Sequence, residues 1–457
     1  MEELCYRFPV LGELVLNKID EQSLCNCQEA SRVFSQFAIK ERFFWIRIIQ
    51  KNYKNLSEFK ISWRKVIYRT SADTLKQLAI AVHHFFRKRR KYKKMLHWSP
   101  FHISAESGLM MLCTHVYHKT GILQLENRNP GNKHGLTPLH LAAESGHLDI
   151  YQFIMSKVAD KNPAANNGRT PLHFAAQKGY FRICQIILGC SENTNPLQGN
   201  ELTPLHLCAQ SGHLEICSLI MNTLVDKNPS VWGGWTPLHL SAQRGHLEIC
   251  RLIMDTLENK NPADNNGWTP LHFSAQHGHF ELCQLIMETL ENKNPADNNG
   301  RTPLHFASEN GHLEICRLIM DTLKNKNPAN TTGQTVLHEA AENGHLEMCQ
   351  IIMDTLVNKN PADNNGWTPL HASAKNGHLE ICQLIVDTLA NNNPADNNGF
   401  TPLHLSAQKG HLNICLAIMD TLEHKNPEDI NGITPLHLAS SLEIRKLLQC
   451  KRQKYTR

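Results

Sequence analysis

The chain has 457 residues, 41% of them hydrophobic and 19% charged, which excludes an intrinsically disordered chain and leaves room for two or three folded domains. No apolar run approaches the roughly 20 residues that span a bilayer, and the opening MEELCYRFPV lacks a basic stretch followed by an apolar one, so neither a membrane span nor a secretory leader is expected. The formal net charge of +5 is unevenly held: residues 1–98 carry twenty Lys and Arg against nine Asp and Glu, or +11, which leaves −6 for the remainder.

Residues 8–50 do not repeat elsewhere in the chain. Phe8-Pro9 precedes an apolar stretch at helical spacing, with Leu11, Leu14, Val15, Leu16 and Ile19, and Asp20-Glu21-Gln22 breaks it. Leu24, Cys27, Ala30, Val33, Phe34 and Phe37 form a second helical stripe, and Phe43-Phe44-Trp45-Ile46 with Ile48-Ile49 a third cluster. Three short helices make a small core that is marginal alone and that a partner surface would complete. The Phe-Pro opening, the Val15-Leu16 to Ile19 stretch, Ser23-Leu24, Ala30-Ser31-Arg32-Val33-Phe34 and the closing Trp45-Ile46-Arg47-Ile48 resemble an F-box. Phe8 stands where that family prefers Leu, and Phe34 where Trp is usual. The resemblance implies docking on the adaptor subunit of a cullin–RING ubiquitin ligase, with Pro9, Leu16, Ile19 and Leu24 at the contact positions. A generic helical cap is the plainer reading of the same residues.

Residues 51–93 read as a helical linker containing Trp63, Leu75, Leu78, Ile80 and Val82. It closes on Arg87-Lys88-Arg89-Arg90-Lys91-Tyr92-Lys93-Lys94, seven basic residues in eight. Such a run reads first as a solvated helix face and second as a nuclear localisation signal, and contact with nucleic acid ranks below both.

Beyond this the chain is periodic. Thr137, Thr170, Thr203, Thr236, Thr269, Thr302, Thr335, Thr368, Thr401 and Thr434 recur every 33 residues, and all but Thr335 open Thr-Pro-Leu-His. A fixed period of this length marks a solenoid, whose units bury their apolar faces against their neighbours. In one unit, Asn265-Asn266-Gly267 predicts a turn with Gly at positive φ, and Thr269-Pro270 predicts an N-cap followed by proline at the first helical position. Leu271 and Phe273-Ser274-Ala275 pack inward on a short first helix that Gly278 ends in a left-handed conformation. A second helix from His279 or Phe280 is expected to bury Phe280, Leu282, Cys283, Leu285 and Ile286, and Asn294-Pro295 stops it.

The Thr-Pro-Leu-His-x-Ala and Gly-His-Leu-Glu motifs at this period resemble the ankyrin repeat, over about residues 94–450. The resemblance implies an all-α helical solenoid of helix-turn-helix repeats with short β-turn or hairpin connections. Domain limits follow: 1–50 F-box-like, 51–93 linker and 94–457 array, with a degenerate first repeat at 94–131, regular repeats from 132 and a truncated last repeat at 429–450. The first opens at Ser99-Pro100-Phe101-His102 with five extra residues and reaches Cys113, while the last lacks three residues at the inter-helix turn and ends near Cys450. Glu201 replaces the turn glycine of the third regular unit. Where the family usually ends its second helix with Gly, this chain has Leu257, Leu290, Leu323 and Leu356, so that helix is expected to run about one turn longer.

The repeat also absorbs residues that look like chemistry. Eight of fifteen cysteines, Cys184 to Cys415, hold one second-helix position and read as small buried hydrophobes, which favours a reducing compartment. Nineteen of twenty-seven histidines are in register, one per layer, and read as turn braces instead of converging metal ligands. No phosphate loop, Gly-x-Ser-x-Gly elbow or kinase motif set occurs, so no catalytic residue, cofactor or metal site is assigned and no enzyme is expected.

What the repeat leaves free are the residue before each threonine and the two before each inter-helix glycine. In ankyrin-like folds these line the concave face. The target-binding candidates are Trp235, Arg244, Trp268, His277, Arg301, Gln334, Trp367 and Phe400, with packing on the neighbouring turn as the alternative for the aromatics. The array's charge of −6 favours a basic or neutral protein over nucleic acid. Two functions follow: a substrate-recognition subunit of an F-box type ligase, or a scaffold without a ligase link in which residues 1–95 cap the array. Cytoplasm is the expected compartment, with the nucleus second.

Overall fold

The computed structural model describes residues 100–108, 110, 113–114 and 131–450, apart from 192, 198–201, 390, 421 and 423–425. Pro9, Leu16, Ile19, Leu24, the whole of 1–93 including most of the basic run, Glu201 and the tail beyond Cys450 lie outside these residues. The chain divides into two compact units, Met1–Pro204 and Leu205–Arg457.

The described part of the first unit holds helix Pro100–Ser107, then the pairs Pro138–Ser145 with Leu148–Met155 and Pro171–Lys178 with Phe181–Leu188. The second opens within helix Pro204–Ser211, which pairs with Leu214–Met221. Six full pairs follow, from Pro237–Arg244 with Leu247–Met254 to Pro402–Lys409 with Leu412–Asp420, and the pair Pro435–Leu438 with Leu442–Cys450 ends it. The described residues contain an isolated antiparallel bridge, Ala329 to Thr335, in place of hairpin strands. The degenerate first repeat buries Phe101, His102 and Cys113, and the last keeps both helices, the first cut to Pro435–Leu438 and the second at full length.

Local chemistry explains each boundary. Thr269 precedes Pro270 in extended conformation, and the orphan N–H of Leu271 finds Asn261 Oδ1 at 3.0 Å. Asn261 is thus the residue that stops the preceding repeat and caps the next. At the turn, Asp264 Oδ1 accepts from the N–H groups of Asn266 and Trp268, both at 2.8 Å, and Gly267 takes φ 82°. The tips are laced together along the second unit: Asn298 N donates to Asn266 O at 3.0 Å, and Asn298 Nδ2 to Asn265 O at 3.0 Å.

Two expectations about the second helix need correction. It does not run on to the leucine that replaces the family's glycine. In the Thr236 repeat it ends at Met254, and Leu257 lies in a turn beyond it. The reason is that the last carbonyls find other donors: Ile253 O accepts from Thr256 N and from its hydroxyl, and Met254 O from Leu257 N and the Lys260 ammonium. In the Thr269 repeat Leu282, Cys283, Ile286 and Met287 are buried, whereas Phe280 and Leu285 are half-buried at the edge of the apolar face.

The cysteines are core residues. Cys184, Cys217, Cys250, Cys283, Cys316, Cys349, Cys382 and Cys415 are fully buried and free, and burial pushes the Cys250 and Cys283 thiols up to about 12. Among the described residues, no helix is long and apolar enough to cross a membrane.

Candidate functional site

The histidine that closes each Thr-Pro-Leu-His motif builds the floor of the face. His371 Nδ1 lies 3.1 Å from Thr368 N and 2.8 Å from Thr368 Oγ1, and Nε2 donates to Phe400 O of the next repeat at 3.1 Å. One side chain therefore braces its own turn and fixes the backbone at the variable position one repeat ahead. Burial is the main cause that drives His371 down to about 4, so the imidazole is neutral at pH 7 and one nitrogen can accept while the other donates. The same bond runs from His239 to Trp268 O, from His338 to Trp367 O and from His404 to Ile433 O.

The second in-register histidine has a role that the sequence did not show. His279 Nε2 donates to Gln243 O, 36 residues earlier, at 3.2 Å, and its ring lies over Gly245. Gly245 sits at φ 74°, and a Cβ placed there would meet His279 Cε1 at 2.6 Å, so both conformation and space demand glycine. Among the described residues no three His, Cys, Asp or Glu side chains gather as a metal set.

On this floor stand Trp235, Trp268, Arg301, Gln334, Trp367 and Phe400, each half-buried. They interlock with the first helices. The Trp235 ring lies 4.8 Å from Phe273, and the Trp268 ring 5.0 Å from Phe273 and 4.3 Å from Phe306. The Arg301 guanidinium sits 4.1 Å over Phe306 and pairs with Glu309 and, at 3.3 Å, with Glu339. Trp235, Phe273, Trp268, Phe306, Arg301 and Glu339 thus form one interleaved row, in which each aromatic or cation–π step is worth roughly 0.5–1.5 kcal/mol. Further on, Trp367 stacks on His371 at 5.2 Å with Lys375 Nζ 5.6 Å from its ring, and Phe400 on His404 at 5.0 Å. These residues both pack between repeats and show an edge to solvent. Arg244 and His277, at the ends of their first helices, are exposed.

Two residues of this region escaped the sequence reading. Trp232 is 87% exposed at a turn tip where other repeats carry Asn265, Asn298, Asn364 or Asn397. The signal was the break in that asparagine register. Glu339 replaces the Leu or Phe of Leu240, Phe273, Phe306 and Leu405. Burial pushes its carboxyl up to about 7; Arg301 pulls it down, and Glu309 and Glu342 push it further up.

A family model described as Ankyrin repeats (3 copies) matches residues 66–163, 101–196, 182–264, 256–328, 319–396 and 385–457. The matches run without a break from residue 66, inside the segment read as a linker, to residue 457. Ankyrin repeats imply protein–protein interaction, and the half-buried row on its histidine-braced floor suits such a surface. The chain belongs to the ankyrin repeat family.

Proposed function

We propose that the chain is a non-enzymatic substrate receptor of a cullin–RING ubiquitin ligase. Residues 8–50 would hold the ligase adaptor, and through it the cullin, using Pro9, Leu16, Ile19 and Leu24. The turn and first-helix face of the second unit would hold a target protein. The observation that carries the target half is the row of half-buried Trp, Arg and Phe edges flanked by the exposed Arg244, His277 and Trp232. The ligase half is supported by the Phe8-Pro9 to Trp45-Ile46 pattern.

The mechanism is proximity. An array that holds a target beside a charged ubiquitin carrier raises the effective concentration of the target's lysines, and the chain itself makes or breaks no bond. The work belongs to the cytoplasm, and to the nucleus if the basic run at 87–94 is read there. The full-length chain tests this reading by co-purification from cells. Adaptor and cullin are recovered with wild type and lost with Pro9→Ala combined with Leu24→Ala. Recovery of neither with wild type, or of both with the double variant, leaves a scaffold without a ligase link as the better description.

A further inference from the structure

We propose that Cys208 and Cys217 are a disulfide-forming pair, closed by a peroxide-class oxidant within one repeat. Cys208 lies on helix Pro204–Ser211 and Cys217 on its partner Leu214–Met221. Both side chains are fully buried, and their sulfurs stand 3.0 Å apart. A disulfide needs about 2.05 Å between sulfurs, so closure asks for a movement of about 1 Å, within reach of small side-chain rotations.

The juxtaposition is a product of the repeat. The same two places meet as Ser241 with Cys250 at 3.1 Å, and as Ser274 with Cys283, Ser373 with Cys382 and Ser406 with Cys415, each at 3.2 Å. In other repeats Ala175, Ala307 and Ala340 stand at the first-helix place. Cys208 puts a second thiol where the fold has already built a short contact. The remaining described repeat cysteines face Ser or Ala there, and the exposed Cys190 has Met155 Sδ beside it at 4.0 Å.

The chemistry balances. One thiol attacks hydrogen peroxide, the O–O bond breaks, and a sulfenic acid and one water result. The second sulfur then attacks the sulfenic sulfur. The S–O bond breaks, and the departing hydroxyl takes the second thiol's proton as another water. Two thiols lose two electrons to the peroxide in all. Peroxide reaches the buried pair through local opening of the repeat, so closure is slower than oxidation of the exposed Cys190. Once formed, the bond ties the two helices of this repeat together and opposes the opening that admitted the oxidant.

The full-length chain is exposed to hydrogen peroxide, alkylated, digested without reductant and examined by mass spectrometry. The expected result is a peptide joining Cys208 to Cys217 that dithiothreitol releases, with the melting temperature raised by at least about 2 °C. Cys208→Ser installs the side chain that four other repeats carry against the same cysteine, so it folds, and it gives neither the linked peptide nor the rise. The proposal is overturned if Cys190 is consumed while Cys208 and Cys217 still alkylate as thiols on unfolding. It is equally overturned if Cys217 is recovered joined to other cysteines.

Discussion

Glu339 shows how one residue can leave the repeat pattern without breaking the fold. Its carboxyl lies among Arg301, Glu309 and Glu342, with burial holding it up at about 7. The folded value lies above the usual 4.3 or so of an unfolded glutamate, so between those values the native state binds more protons than the unfolded one. Stability from this group is therefore present below about pH 4.3 and is lost as pH rises through 7. Glu339→Leu, which restores the side chain of Leu240 and Leu405, should raise the stability at pH 8 by about 1–2 kcal/mol and by much less at pH 5. Thermal melts at the two pH values decide it; an equal effect at both would mean that ionisation is not the cost. The tryptophans divide differently. Trp268 touches Phe273 and Phe306, so Trp268→Ala should cost about 2–3 kcal/mol, whereas the exposed Arg244→Glu should stay within about 0.5 kcal/mol. Circular dichroism melts of the two variants check the contrast.

Helix boundaries were legible in the sequence wherever one residue's own chemistry sets them. Thr-Pro starts every regular first helix but that of the Thr335 repeat, and Gly245 and Gly267 hold the positive φ that the motif asks for. The end of the second helix was not legible, because its last carbonyls are taken by Thr256 and Lys260 from beyond the helix. Contacts between repeats were hidden for the same reason: the His279 to Gln243 bond spans 36 residues, and no window along one unit contains it. The packing of the candidate residues between repeats was not legible either. Half-burial of Trp268 depends on Phe306, one repeat ahead. At this scale Gly245→Ala should cost about 2 kcal/mol, since it combines positive φ with the close approach of His279. His279→Ala should cost about 1 kcal/mol by losing its bond to Gln243. The double variant should cost less than the sum, because removing the ring relieves the clash, and urea titrations of the four chains measure that coupling.

The whole molecule carries a pH limit written by its repeat. Burial brings His140, His173, His206, His272, His305 and His371 each to about 4, below the usual 6.5 or so of an unfolded histidine. The unfolded chain binds these protons more readily, so stability is full above about pH 6.5 and falls steeply toward pH 4. Acid unfolding should take up about six protons, read from the slope of unfolding free energy against pH. The proposed function requires two ends that work independently. The most direct measurement is affinity purification with quantitative mass spectrometry from cells expressing the full-length wild type, Pro9→Ala/Leu24→Ala, or Arg244→Glu/His277→Glu. The account predicts that the N-terminal variant loses adaptor and cullin while keeping a target, and that the face variant loses the target while keeping adaptor and cullin. Loss of both sets together, or survival of both in either variant, would contradict it.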